Sequence, residues 1–185
     1  MKTVRNSLQV AALSGIILLA GTTPALADSS SSTTSASTQA AAAVTKAQRL
    51  AKLKTLTGNS SASQDSWFTA LGQYRQHKQA ITKYKFNWST DYCSGSPDSL
   101  AGGYDLKFAC YRHDFGYRNY KKIAGNAAFR RDHKLRIDKA LLGDLNRVCG
   151  NRFWADPYTP AQRKKLKTAC LKSAKKYYNA VRALG

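Results

Sequence analysis

The sequence predicts an all-α domain built on two long antiparallel helices and stapled by two disulfides. Three observations carry this. Apolar residues recur at three- and four-residue spacing through the second half of the chain, and no run alternates apolar with polar residues as a half-buried strand does. Four cysteines stand in a chain that opens with an export-like segment.

That segment comes first. Lys2 and Arg5 give a basic start, an apolar run covers about residues 10–20, and Ala25-Leu26-Ala27 is a small-residue cleavage motif. Residues 1–27 therefore read as a signal peptide, with cleavage before Asp28. The apolar run is shorter than the ~20 residues a membrane span needs, and no later stretch qualifies. The mature chain is expected to be soluble and secreted.

Residues 28–60 read as a low-complexity tether or propeptide. The serines and threonines after Asp28 and the four alanines from Ala40 offer little apolar surface to offset ordering entropy. A basic helix is expected near its end, from Val44, Ala47, Leu50, Leu53 and Leu56, broken by Gly58-Asn59-Ser60-Ser61.

Residues 61–185 suffice for one small domain. Asp65 is expected to cap a helix carrying Trp67, Phe68, Leu71 and Tyr74, and a short helical stretch follows with Ala80, Ile81 and Tyr84. The segment from Asn87 to Gly103 is rich in Ser, Gly, Asp and Pro and reads as loop. A long helix then runs from about Asp105 into Ile123. Gly125-Asn126 separates it from a second, marked by Phe129, Ile137, Leu141, Leu145 and Val148. Their short connection makes them antiparallel neighbours. Thr159 as cap and Pro160 at the first helical position open a last helix, with Leu166, Cys170, Ala174, Tyr177, Val181 and Leu184 as its apolar stripe.

Four cysteines allow three pairings. The local one, Cys93–Cys110 and Cys149–Cys170, is favoured because each bridge ties a loop to the helix beside it. Each closed loop contributes about 3 kcal/mol on the chain-entropy estimate. A zinc site is disfavoured by the absence of any C-x-x-C or H-E-x-x-H spacing.

The formal charge is +20, from 30 basic and 10 acidic residues. Loss of Lys2 and Arg5 with the signal peptide leaves +18, and every acid is an aspartate. Such a charge favours anionic partners and says nothing of fold. It also makes each carboxylate informative.

The most informative stretch is Cys110-Tyr111-Arg112-His113-Asp114-Phe115-Gly116-Tyr117-Arg118-Asn119-Tyr120. Adjacent helical residues diverge by about 100°, so His113 and Asp114 can serve separate tasks. His113 suits a general base, with its tautomer fixed by a carboxylate on the facing helix. Asp138 stands 25 residues on, and Asp132 is the alternative carboxylate. Tyr117, four residues after His113, shares its face and can hydrogen-bond Asp138. Asp114, the loop residue Asp91 and the backbone oxygen of Tyr92 are the hard oxygen donors that calcium takes.

This constellation resembles the secreted phospholipase A2 superfamily, above all its prokaryotic and fungal branch. The likeness rests on Asn87-Trp88-Ser89-Thr90-Asp91, on Cys110 through Tyr120, and on Arg136-Ile137-Asp138 with Val148-Cys149. The resemblance spans roughly residues 67–184. The animal enzymes carry paired cysteines and a glycine-rich calcium loop where this chain has the single Cys110 and the loop Asp91–Asp98.

The resemblance implies a mainly helical, calcium-dependent hydrolase of the sn-2 acyl ester of glycerophospholipids. It implies His113 and Asp138 as the catalytic dyad, calcium held by Asp91, Tyr92 and Asp114, and the same local disulfide pairing; Tyr117 joins the catalytic set through the helix face it shares with His113. The expected partner is an anionic phospholipid membrane or micelle surface. No nucleic acid is expected, and the chain is expected to be a monomer. A cationic membrane-binding or membrane-disrupting protein without turnover is the alternative suggested by the charge. A nuclease would suit the basic residues and ten tyrosines, but no nuclease metal motif stands out.

Overall fold

A pair of long helices crossed by a third sets the layout, and each begins or ends where the local chemistry dictates. The computed structural model describes residues 43–154 and 158–184. The expected signal peptide and residues 28–42 of the expected tether lie outside them.

Helix α1 (Lys46–Leu56) starts at Thr45, whose side chain accepts from the Gln48 N–H while Gln48 reaches back to the Thr45 N–H, a reciprocal cap. Helix α2 (Ser61–Arg75) is capped by Ser60, which accepts from the Ser63 N–H. Asp65, expected as this cap, lies inside the helix instead. Ser60, the last non-helical residue of the Gly58-Asn59-Ser60 break, satisfies the free amides a turn earlier. The short α3 (Gln79–Thr82) buries Ile81.

The following loop holds a two-stranded antiparallel ribbon, β1 (Ser99–Leu100) and β2 (Tyr104–Asp105), the one addition to an otherwise helical domain among the described residues. Gly102 and Gly103 turn between its strands at φ of 88° and 73°.

Helix α4 (Lys107–Ala124) stops at Gly125, where φ is 91°. A single turn, α5 (Asn126–Ala128), leads through a π-helical turn (Phe129–His133) into α6 (Lys134–Gly150). Helix α7 (Pro160–Leu184) opens on Thr159, which pairs reciprocally with Gln162 as Thr45 does with Gln48. The disulfides are Cys93–Cys110 and Cys149–Cys170, the local pairing.

The apolar stripes meet in two clusters. One gathers α1, α2 and one face of α4 around Trp67, Trp88, Phe115 and Ile137. The other joins α4, α6 and α7 through Leu141, Leu145, Ala174 and the two disulfides. Leu53 and Leu56 of α1 are fully buried in the first cluster. The packed body therefore begins ahead of residue 61, where the tether was expected to end. The apolar face of α1 is covered by α4, which lies more than fifty residues away in sequence and left no local sign of itself.

Helices α4 and α6 approach closely at Gly116. A Cβ there would stand 3.0 Å from the Cγ2 of Ile137. Glycine inside a helix costs about 1 kcal/mol relative to alanine, and close approach explains its presence here. His113 lies one turn away.

A buried ion pair crosses the same interface. Arg112, 2% exposed, donates to both oxygens of Asp144 at 3.0 and 2.7 Å. It also reaches the carbonyls of Leu56 and Gly58 and the hydroxyl of Ser63. One guanidinium thus closes the turn between α1 and α2 onto α4 and α6. Removing the carboxylate alone leaves a buried cation short of its counter-charge, at a cost of about 3–5 kcal/mol. Asp144→Ala is expected to lose stability in that range in urea denaturation. A loss below about 1 kcal/mol would show that the pair does not hold this junction.

Candidate active site

Helix α4 divides its residues by angle. Tyr111, Phe115 and Arg112 face the protein interior, His113 and Tyr117 face α6, and Asp114 and Arg118 face the loop that precedes the ribbon. That loop runs antiparallel to the helix and is fastened at successive points. Asn119 exchanges two hydrogen bonds with the Asn87 backbone, at 2.8 and 2.7 Å. The Tyr111 hydroxyl donates to the Trp88 carbonyl at 2.6 Å. Asp114 Oδ2 accepts from the Thr90 hydroxyl at 2.8 Å and from the Asp91 N–H at 3.1 Å. The Cys93–Cys110 bridge completes the series. Asparagine at 119 serves because its amide side chain both donates and accepts.

His113 Nε2 lies 3.0 Å from Asp138 Oδ1, and the Tyr117 hydroxyl donates to the same oxygen at 2.5 Å. The other oxygen accepts from Lys134 Nζ at 3.0 Å and from Arg182 at 3.1 Å. Asp138 is wholly buried. Burial alone pushes its carboxyl upward, but the bonds from His113, Tyr117, Lys134 and Arg182 outweigh it and hold the pKa down at about 2. Burial, then the bond to Asp138, drives the Tyr117 hydroxyl well above its usual range, so it remains a donor. An ionised carboxylate only accepts, which places the shared proton on His113 Nε2, and in the neutral imidazole the lone pair then falls to Nδ1.

The second group of carboxylates lies one helical face away. Arg118 donates to Asp91 Oδ1 at 2.6 Å and stands 3.6 Å from Asp114 Oδ2, so one cation bridges both. Ser94 donates to the other oxygen of Asp91. That bond, then the one with Asp114, lowers the Asp91 pKa to about 2, whereas burial raises that of Asp114. Between them Tyr92 sits in the left-handed region at φ 55°, uncommon for a residue with a side chain. Strain of this kind gathers at ligand sites.

Members of both groups line one cleft of about 610 Å³. Its floor holds His113, Asp114 and Tyr117, its near side the loop from Asp91 to Ser96, and its far wall Tyr177, Ala180, Val181 and Leu184 of α7. The structure thus brings His113, Asp138 and Tyr117 together, and sets Asp91, Tyr92 and Asp114 beside them. Asp132, the alternative carboxylate, pairs with Arg131 at the surface. Among the described residues no group of three or more His, Cys, Asp or Glu forms a metal-binding set. A cation here would therefore rest on two carboxylates and oxygen donors of other kinds.

Four residues of the site escaped the sequence reading. Lys134 and Arg118 had a signal, since each stands four residues from the carboxylate it meets. Thr90 lay inside a motif already singled out. Arg182, 44 residues from Asp138, had none.

The described residues form a helical, disulfide-stapled domain in which His113, paired with Asp138 behind it, lines a mostly apolar cleft. The chain belongs to the prokaryotic phospholipase A2 family, whose model matches residues 63–185. It is similar to a secretory phospholipase A2 of Arthroderma benhamiae, 29% identical over 117 residues that cover 63% of this chain and 72% of that protein. A secretory phospholipase A2 of Beauveria bassiana is 30% identical over 81 residues, 44% of this chain and 40% of its own. The protein is thus a phospholipase A2, a carboxylic ester hydrolase.

The depressed pKa of Asp138 has a consequence for stability. Its folded value lies below the unfolded 3.8, so its contribution is fully present above about pH 4 and is lost as the pH falls toward 2. The shift corresponds to about 2 kcal/mol. Between pH 5 and pH 2 the parent is expected to lose about that much more stability than Asp138→Asn, measured by denaturant titration. Parallel pH dependence in the two proteins would mean that Asp138 is not held ionised by its partners.

Proposed function

We propose that this protein is a secreted, calcium-dependent phospholipase A2 that releases the sn-2 fatty acid of glycerophospholipids, leaving lysophospholipid. The observation that carries the reading is the His113 Nε2–Asp138 bond, which leaves Nδ1 free in the cleft. His113 takes a proton from water through Nδ1, and the water adds to the ester carbonyl without a covalent enzyme intermediate. Asp138 keeps the imidazole in the tautomer this needs and stabilises the imidazolium that forms. Tyr117 holds Asp138 in place and cannot itself supply a base.

Calcium suits the neighbouring group. The carboxylates of Asp91 and Asp114 are hard oxygen donors, and Arg118 already bridges them as a cation would. Asp91, Asp114 and the Tyr92 carbonyl would hold the ion. When bound, it supplies positive charge for the substrate phosphate and the polarised ester carbonyl.

Secretion is supported by the two disulfides, by the signal-like residues 1–27, and by relatives named as secretory. No described helix is long and apolar enough to cross a membrane. The partner we propose is an anionic lipid surface, engaged by the basic face of α7, where Lys164, Lys165, Lys167, Lys172, Lys175 and Lys176 are exposed. The protein acts as a monomer in this reading.

A phospholipid labelled at sn-2 should yield labelled fatty acid with calcium and none with chelator. In calorimetric titration, His113→Gln is expected to retain calcium binding without turnover, while Asp114→Asn loses both. Calcium binding lost in His113→Gln and kept in Asp114→Asn would reverse the assigned roles. For the surface, hydrolysis of anionic vesicles should fall with added salt far more than hydrolysis of neutral micelles, because exposed charges are screened. Equal salt responses would rule out electrostatic docking.

A further inference from the structure

The cleft wall and the carboxylate behind His113 share a cation. Lys134 is 7% exposed, and its ammonium has three protons to place. One bond goes to Asp138 Oδ2 at 3.0 Å, and the others to the carbonyls of Val181 at 2.9 Å and Arg182 at 3.4 Å. Those carbonyls belong to the last turn of α7, where no further helical N–H is available to them. A cation at this end also suits the helix dipole. From the same turn Arg182 returns to Asp138 Oδ2 at 3.1 Å.

This turn is the far wall of the cleft. Val181 and Leu184 line it, with Tyr177 and Ala180 one turn earlier. Other fastenings of α7 lie upstream. The Cys149–Cys170 bridge is twelve residues before Arg182, about 18 Å at the rise of an α-helix. The Tyr177 hydroxyl donates to the Pro97 carbonyl, again before the last turn. Helix ends fray unless tied down, and Leu184 is 88% exposed.

We propose that Lys134 and Arg182 form a latch that seats the last turn of α7 on Asp138, making the wall that receives the acyl chain dependent on the carboxylate that orients His113. Both act as positioning residues. The inference rests on the reading of the cleft as the site of acyl-ester hydrolysis. A long acyl chain needs the whole wall, whereas a short one ends near the histidine. Loosening the latch should therefore discriminate by chain length, which a general loss of stability would not.

The test uses Arg182→Gln and Arg182→Lys in the full chain, since Arg182 is partly exposed and its loss leaves the core intact. Phosphatidylcholines with six-carbon and sixteen-carbon chains are presented in the same mixed micelles, and amide hydrogen exchange is followed in parallel. Arg182→Gln is expected to lose roughly tenfold in kcat/KM on the long chain, equivalent to about 1.4 kcal/mol, and much less on the short one. Arg182→Lys should recover most of the loss. Amides of residues 181–184 should exchange faster in Arg182→Gln, with those of α6 unchanged. An equal loss on both chain lengths, or unaltered exchange in the last turn, would overturn the latch. Failure of the parent to hydrolyse either lipid would instead sink the proposed function, and the exchange measurement would judge the latch alone.

Discussion

A buried aspartate in a strongly basic chain is the constraint on which the site depends. Asp138 is removed from water entirely, and an isolated carboxylate in that position would take up a proton rather than remain charged. Four donors from three helices prevent this. His113 and Tyr117 come from α4, Lys134 from its own helix, and Arg182 from α7. Each donor needs its helix in register, so the bonds that keep the carboxylate ionised also fix the relative positions of α4, α6 and α7. The close approach at Gly116 makes the geometry reachable, because a side chain there would hold the two helices apart.

The second buried pair, Arg112 with Asp144, crosses the same α4–α6 interface further along α6. It points away from the cleft and captures the turn between α1 and α2, where Arg147 and Arg136 add bonds to the Asn59 and Thr57 carbonyls. Ordinary surface ion pairs contribute little. These differ because the carbonyls of the buried Leu56 and Thr57 have lost water and need donors. Arginine suits the task, since its planar fork satisfies a carboxylate and several carbonyls at once. The histidine helix is thus fastened to α6 by two polar networks, one structural and one that adjoins the cleft.

Much of this was legible in the sequence, for a definite reason. Local signals survive folding: Thr159-Pro160 and Gly125 mark helix ends through backbone chemistry that tertiary contacts did not override. His113 and Tyr117 share a face by periodicity alone, and Asp138 could be sought because a buried imidazole needs an acceptor. The cap of α2 was misplaced because two side chains within five residues can both accept from a helix amide, and only the backbone path decides between them. The place of α1 in the core was illegible for a different reason. Leucines at helical spacing say that a face is apolar, not what covers it. Arg182 belongs to the same class, as its role arises from where the end of α7 comes to rest.

The distribution of acids completes the physical picture. Among the described residues there are eight aspartates, and seven accept a hydrogen bond from a named partner. Asp98 holds the Cys93 amide, Asp105 accepts from the Lys107 amide at the start of α4, and Asp138 and Asp144 serve the two buried networks. Little acidic surface is left to neutralise the lysines, so the outside of the molecule stays positive while negative charge is spent on architecture. The pair Asp91 and Asp114 is then exceptional, because its two carboxylates adjoin one another in a cleft with a single arginine between them. In a field this positive, a second cation would be attracted only where two carboxylates act together. The proposed docking of a cationic exterior on anionic lipid and the proposed calcium site at a local acidic pair are therefore compatible. The short reach of screened charge at physiological salt keeps the two apart.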